Sequence, residues 1–397
     1  MSFDGWKEQT LDAVLEFSNG KKRPKNDGSI PVYGGNGVMD YCSQSNAEGE
    51  NIIIGRVGAY CGNVYYENQP CWISDNAILA RPKDNNVGKF LYYKLINLNL
   101  SSMRIGSSQP LLTQSILKEI VTQIPNKSTQ QKIASILSAL DDKIELNNRM
   151  NKVLEQMAQV IFKQWFVDFE FPNENGEPYK SSGGEMEWCE ELGKEIPRGW
   201  RVGTVSNLGT VVGGGTPSSS KEEFYADLGI PWITPKDLSM NKNKFIYRGS
   251  RDITEAGLKN SAAKLMPEGT VLFTSRAPIG YIAIAGNSVT TNQGFKSIIP
   301  DDEVGTEFVY CFLKENLSAI ENMATGSTFK EVSGNVLKNI PALLPEPNLI
   351  KQFSEIVKIH NDKIKNNEKQ IDYLSSLRDI LLPKLMSGEI DVSEIEL

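Results

Sequence analysis

The chain repeats itself, and that repeat constrains its fold more than any other feature. Ser128 to Trp165 reads as a long amphipathic helix, and Asn348 to Leu385 reads as a second one lying 220 residues further on without a gap. Asp142-Lys143-Ile144 meets Asp362-Lys363-Ile364, Asn147 meets Asn367, and Leu154 meets Leu374. The match begins earlier, with Gly106-Ser107 on Gly326-Ser327 and Pro125 on Pro345. From 105 to 166 there are 12 identities in 62 ungapped pairs, against about 4 expected from ordinary residue usage. The period is too long for a solenoid, so each copy is a domain followed by a helix.

Ser128-Thr-Gln-Gln131 has the pattern of a capping box and predicts the start of the first helix. Ile133, Ile136, Leu140, Leu154, Met157 and Ile161 fall on a heptad a/d seam that Lys143 and Asn147 interrupt. Phe353, Ile356, His360, Leu374, Leu377 and Leu381 repeat the seam, with Lys363 and Asn367 in the interrupting places. A 38-residue helix is a rod of about 55–60 Å. Neither rod buries its stripe alone and the stripes match, so the expectation is an intramolecular antiparallel coiled coil with a pseudo-two-fold axis. Asn147 and Asn367 then lie near its centre. They are either buried and fixing register or exposed where the coil splays.

The predicted divisions are 1–126 and 197–346 as two α/β (α+β) domains, 127–166 and 347–386 as the helices, 167–196 as a linker and 387–397 as a tail. Short apolar runs at Ile52–Ile54, Val64–Tyr66 and Ala77–Leu79 suit strands, and Phe90 to Leu98 has helical spacing. Ile230-Pro231 echoes Ile30-Pro31, and Ser275-Arg276 echoes Gly55-Arg56. The net charge of −7 would disfavour nucleic acid if it were evenly spread. It is not: the linker holds nine acids against Lys180 and Lys194, and the tail holds four acids and no base. The two domains are neutral, with 12 acids and 12 bases in the first and 15 of each in the second, so a basic face on each is open.

Catalytic constellations are hard to find. The single histidine, His360, lies on the helix seam. Gly213-Gly214-Gly215-Thr-Pro lacks phosphate-loop spacing and reads as a turn. No Asn-Pro-Pro-aromatic stretch marks an adenine methyltransferase. Asp141-Asp142 are expected to solvate a helix face. Five cysteines without CxxC spacing suggest reduced thiols, no metal site and a cytoplasmic protein. No apolar run is long enough to span a membrane.

Ile196-Pro-Arg-Gly-Trp200 opens the second domain, Leu154-Glu-Gln-Met-Ala-Gln-Val-Ile-Phe-Lys-Gln-Trp-Phe166 closes the first helix, and Leu377-Arg-Asp-Ile-Leu-Leu-Pro-Lys-Leu-Met-Ser-Gly-Glu-Ile390 closes the second. With the duplication, the chain resembles the specificity subunit of type I restriction-modification systems over nearly its whole length. The first domain departs from the pattern by lacking Ile-Pro before Gly5-Trp6.

The resemblance implies two target-recognition domains, each reading one half of a gapped site in double-stranded DNA. It implies helices that set the gap and dock two methyltransferase subunits bringing S-adenosylmethionine. Motor-nuclease subunits using ATP and magnesium would complete the complex, leaving this chain without catalysis of its own. A non-catalytic protein-interaction scaffold is the competing expectation.

Candidate DNA contacts are loops recurring at matched places. Lys21, Lys22, Arg23 and Lys25 face Thr216, Ser218, Ser219 and Lys221 in the other copy. Arg56 with Tyr60 faces Ser275-Arg276 with Tyr281. Arg104, Ser107, Ser108 and Gln109 face Thr328 and Lys330 around the shared glycine. Either arginine has an alternative role, pairing with an acid of its own domain.

Overall fold

In the computed structural model the described residues are 5–83, 85–106, 110–326 and 330–395. They form two compact units, Met1–Glu145 with Ile371–Leu397, and Leu146–Gln370. Two long helices, α1 (Lys127–Phe166) and α2 (Pro347–Ser387), each contribute one half to each unit.

The first unit is built on an antiparallel four-stranded sheet. Its order is Leu15–Asn19, Ala77–Pro82, Asn51–Gly55, Val64–Glu67. The strand Asn51–Gly55 is buried throughout because both sheet faces are covered. Side chains alternate along a strand, so Ile52 and Ile54 enter a core with Phe90, Leu91 and Leu95 of the helix Gly88–Asn97. Ile53 points the other way, to Cys71 and to Tyr33 and Ile73 of a small sheet of Gly37–Cys42, Ile30–Gly34 and Trp72–Ile73. Each of these fully buried isoleucines contributes about 1.5–3 kcal/mol. Lys7–Thr10 pairs with Val121–Ile124 and closes the unit beside α1.

The second unit repeats this frame. Gly209–Gly213, Lys296–Pro300, Val271–Ser275 and Ile279–Ala285 take the same neighbours, and Phe245–Ile246 is an added edge. Val271 and Phe273 face a core with Phe308 and Phe312 of the helix Gly305–Glu315, while Leu272 faces Ile233 and Leu238. The hairpin Ile30–Cys42 has no tight counterpart. Ile230–Ile233 and Arg251–Ile253 still pair, but a short helix, Pro235–Met240, lies between them.

α1 starts at Lys127, with its cap two residues before the Ser128 that the capping box predicts. Asn126 is its cap, with Oδ1 accepting from Thr129 N at 3.0 Å. Within each unit the two helix halves run antiparallel. In the first, Lys132 reaches Ser393 O and Asp141 pairs with Arg378 at 3.0 Å. In the second, Phe162 and Phe166 pack on Phe353. Asn147 and Asn367 are both buried. Asn147 Nδ2 donates to Gln370 at 2.7 Å and Asn367 Nδ2 donates to Asn151 at 2.8 Å, so the amides are buried between the helices and not exposed in a splayed coil.

The seam is turned from the heptad prediction. Met157 is 46% exposed and Ile356 37%, whereas the next residues, Ala158 and Val357, are buried. Ile133 and Phe353 are buried as seam residues, and Ile136, Leu140, Leu154, Ile161, His360, Leu374, Leu377 and Leu381 are half-buried. The a/d pattern supposes a single partner helix. Here the globular part of the unit also covers the helix, which widens the inward arc. In the second unit Gln159 donates to Cys311 O, and the Tyr310 hydroxyl donates to Glu155 at 2.5 Å. Burial alone would raise the Glu155 carboxyl, but the Lys314 cation and Tyr310 hydroxyl hold it below the ordinary range. In the first unit Tyr93 donates to Asp141 at 2.6 Å. Asp141 is thus a structural acid rather than a solvated one.

The acidic linker and tail are not bare connectors. Phe169, Cys189 and Ile196 are core residues of the second unit, and Phe171 stacks on Tyr179 and on Trp200. In the first unit the tail buries Val392, and Lys94 Nζ donates to Met386 O at the end of α2 at 2.8 Å.

Candidate nucleic-acid interface

Four loops of the first unit converge beyond the ends of its central strands. Gly20 N donates to Ala77 O and Lys21 N to Ile73 O, and the Trp72 indole donates to Lys21 O at 3.2 Å. Lys21, Lys22 and Lys25 are exposed, while Arg23 pairs with Asp40 on the facing strand. Arg56 N donates to Asn76 O at 3.0 Å, and a Cβ added to Gly35 would meet both Val57 O and Asn76 O. Arg56 is half-buried, and Tyr60 and Arg104 are exposed. Ile105 and Leu111 exchange both backbone hydrogen bonds at 2.9 Å, closing the loop around Gly106, whose φ of +87° is costly for any other residue.

The second unit assembles the same loops with other side chains. Gly215 N donates to Thr291 O, and the Trp232 indole donates to Gly215 O at 3.0 Å. Thr216 bonds Gln293. Ser218, Ser219 and Lys221 are exposed, and the Lys221 ammonium lies over the Phe224 ring. Thr325 and Glu331 exchange backbone bonds as Ile105 and Leu111 do, around Gly326 at φ +123°. A cleft of about 640 Å³ beside this loop is lined by Arg276, Pro278, Ile279, Glu321, Asn322 and Lys330.

Two sequence expectations change. Ser275 is fully buried and its hydroxyl donates to its own unit at Gly294 O, so it is not a surface contact. Arg276 is not the counterpart of Arg56. Leu112 N donates to Arg56 O, while Val332 N donates to Ser275 O. The strand Val271–Ser275 faces its two cores 219 residues after Asn51–Gly55, with Val271, Leu272 and Phe273 standing where Ile52, Ile53 and Ile54 do, so Arg276 aligns with Val57. Arg276 also pairs with Glu331 at 3.3 Å, the own-domain acid that was its alternative role. Tyr281 is half-buried on a strand and packs against the core. Ser107, Ser108, Gln109 and Thr328 lie outside the described residues.

Sequence reading missed Glu331, which accepts from Arg276 and from Lys296, each at 3.3 Å. The signal was available, since Glu331 stands 220 residues after Leu111. Among the described residues no metal-binding cluster occurs, and no helix is long and apolar enough to cross a membrane.

The family model for the type I restriction modification DNA specificity domain matches residues 4–156 and again 197–375. The chain belongs to this family. The specificity subunit of the type I restriction enzyme MjaIX of Methanocaldococcus jannaschii is 41% identical over 189 residues, 47% of this chain and 43% of that protein. That of the HindI enzyme of Haemophilus influenzae is 30% identical over 349 residues, covering 75% of this chain and 74% of its relative. The crystal structure of a type I restriction-modification S subunit from M. genitalium superposes with a TM-score of 0.64 at 18% identity, covering 99% of this chain and 98% of that one. The fold is thus shared over the full length of this specificity-family chain.

Proposed function

We propose that the chain is the DNA-reading subunit of a type I restriction-modification complex. Each unit reads one half of a split duplex sequence, and the long helices set the unread gap. The observation that carries this reading is the pair of loops at 105–111 and 325–331. They are closed by the same backbone hydrogen bonds and each is flanked by cations, Arg56 and Arg104 at the first and Arg276 and Lys330 at the second, yet they carry different side chains. Phosphate contacts position a protein on DNA and base-edge contacts specify the sequence. A kept frame with altered side chains suits two readers of two different half-sites.

Chemistry in this reading belongs to partners. Val153, Met157 and Val160 form an exposed apolar strip on α1, and at the 220-residue offset Tyr373 and Ile380 are exposed on α2. Equivalent strips on two helices fit two copies of one partner, the methyltransferase subunits, which would supply S-adenosylmethionine. Motor-nuclease subunits using ATP and magnesium would join that assembly.

The test is a methylation map of a host expressing this chain with its methyltransferase partner. One two-part adenine motif with a fixed gap is expected, together with duplex binding that weakens steeply with salt. Random or absent methylation with a competent partner would overturn the assignment.

A further inference from the structure

We propose that one set of three matched positions is the base-reading edge of each unit: apolar in the first (Val57, Ile105, Leu111) and polar in the second (Arg276, Thr325, Glu331). The inference rests on the DNA-reading assignment and deepens it, because it names the class of base each edge takes.

The equivalence is set by the backbone. In the first unit Arg56 N donates to Asn76 O and Leu112 N donates to Arg56 O at 2.9 Å, which places Val57 beside Leu111. In the second, Ser275 N donates to Gly294 O at 2.7 Å and Val332 N donates to Ser275 O at 3.0 Å, which places Arg276 beside Glu331. The Ile105–Leu111 and Thr325–Glu331 closures complete the same frame. The scaffold contacts are held and all three side chains have changed character.

Neither set reads as passive surface. Val57 is 38% exposed and Ile105 54%, each bridged to Leu111 on a loop edge also bearing Arg56 and Arg104. In the second unit Glu331 takes two cations while itself only half exposed, and so holds the Arg276 guanidinium at the mouth of a cleft. Guanine presents two acceptors in the major groove that match an arginine fork, and thymine presents a methyl group that matches apolar side chains. The first edge therefore takes a thymine-containing pair, and the second a guanine. Glu331 is a positioning residue for Arg276.

The experiment compares the full chain with Val57→Ser/Ile105→Thr, Arg276→Gln and Arg276→Lys, each with the methyltransferase partner on a library of half-site variants. The first variant should lose thymine preference only in the half read by the first unit. Both Arg276 variants should lose guanine preference only in the other half, by about tenfold to a hundredfold, the lysine because it keeps charge but lacks the fork. The salt slope of binding should stay unchanged, since no phosphate contact is removed. Arg276→Lys keeps the ion pair with Glu331, which guards against a folding artefact. Unaltered motifs in all three variants, or change in the unmutated half, overturn the inference while leaving the DNA-reading assignment intact. A wild-type chain that directs no two-part methylation overturns both.

Discussion

At the scale of single residues, the chain holds charges where burial is costly. Lys94 is buried beneath the Trp6 ring, donates to Met386 O, and is pushed down to about 8 by that burial. Its folded value lies below the ordinary lysine value of 10.5, so between about pH 8 and 10.5 the unfolded chain holds a proton the folded chain lacks. Stability then rises with pH across that window. Against a Lys94→Met variant, the wild type is expected to gain up to about 3 kcal/mol between pH 7 and pH 10.5, read by urea denaturation at each pH. A difference that stays flat with pH would sink the idea. Nothing in the sequence announced this lysine, because its cost depends on the end of α2, nearly 300 residues away, folding over it. The Arg56–Arg276 mismatch was unreadable for a related reason. The central strands match at an offset of 219 and the long helices at 220, so the likeness of Gly55-Arg56 to Ser275-Arg276 falls one residue out of the backbone match.

At the scale of elements, the long helices and their duplication were plain in the sequence, since 12 identities fall at one fixed offset and the apolar period is helical. Which face of each helix turns inward was not plain. The inward arc answers to two neighbours, the other helix and the helix of the globular part, and only the first leaves a heptad trace. That one-residue turn leaves Met157 exposed beside Val160, in the strip proposed as the dock. Met157→Glu/Val160→Glu is therefore expected to cost little in thermal midpoint and to halve the methyltransferase subunits bound, counted by analytical ultracentrifugation. Adding Tyr373→Glu/Ile380→Glu should abolish binding. Full occupancy by the doubly altered chain would show that the strips are not the dock. The buried amides have a separate role. Asn147 and Asn367 hydrogen-bond side chains of the opposite helix, the arrangement by which a buried amide fixes register at some cost in stability.

At the scale of the whole molecule, chain path matters more than any contact. The backbone passes from the first unit to the second between Glu145 and Leu146, and returns between Gln370 and Ile371. Both crossings lie inside α1 and α2, so the two readers are joined covalently only through helix. Length added at both crossings should then act on the gap alone. Seven residues added to each helix bring about 10.5 Å of rise and leave the seam nearly in phase, since two turns fall only about 20° short. At about 3.4 Å per base pair the methylated motif should gain about three unread base pairs while both half-sites keep their bases. Four residues would add about 6 Å but rotate each seam by about 40°, and should weaken the helix pairing instead. Insertion in one helix alone breaks the antiparallel register that Asn147 and Asn367 hold, and should lower the thermal midpoint without producing a new motif. Methylation maps of the three insertion chains separate these outcomes. Altered half-site bases in the double heptad insertion, or a gap that does not lengthen, would mean that something other than helix length sets the spacing.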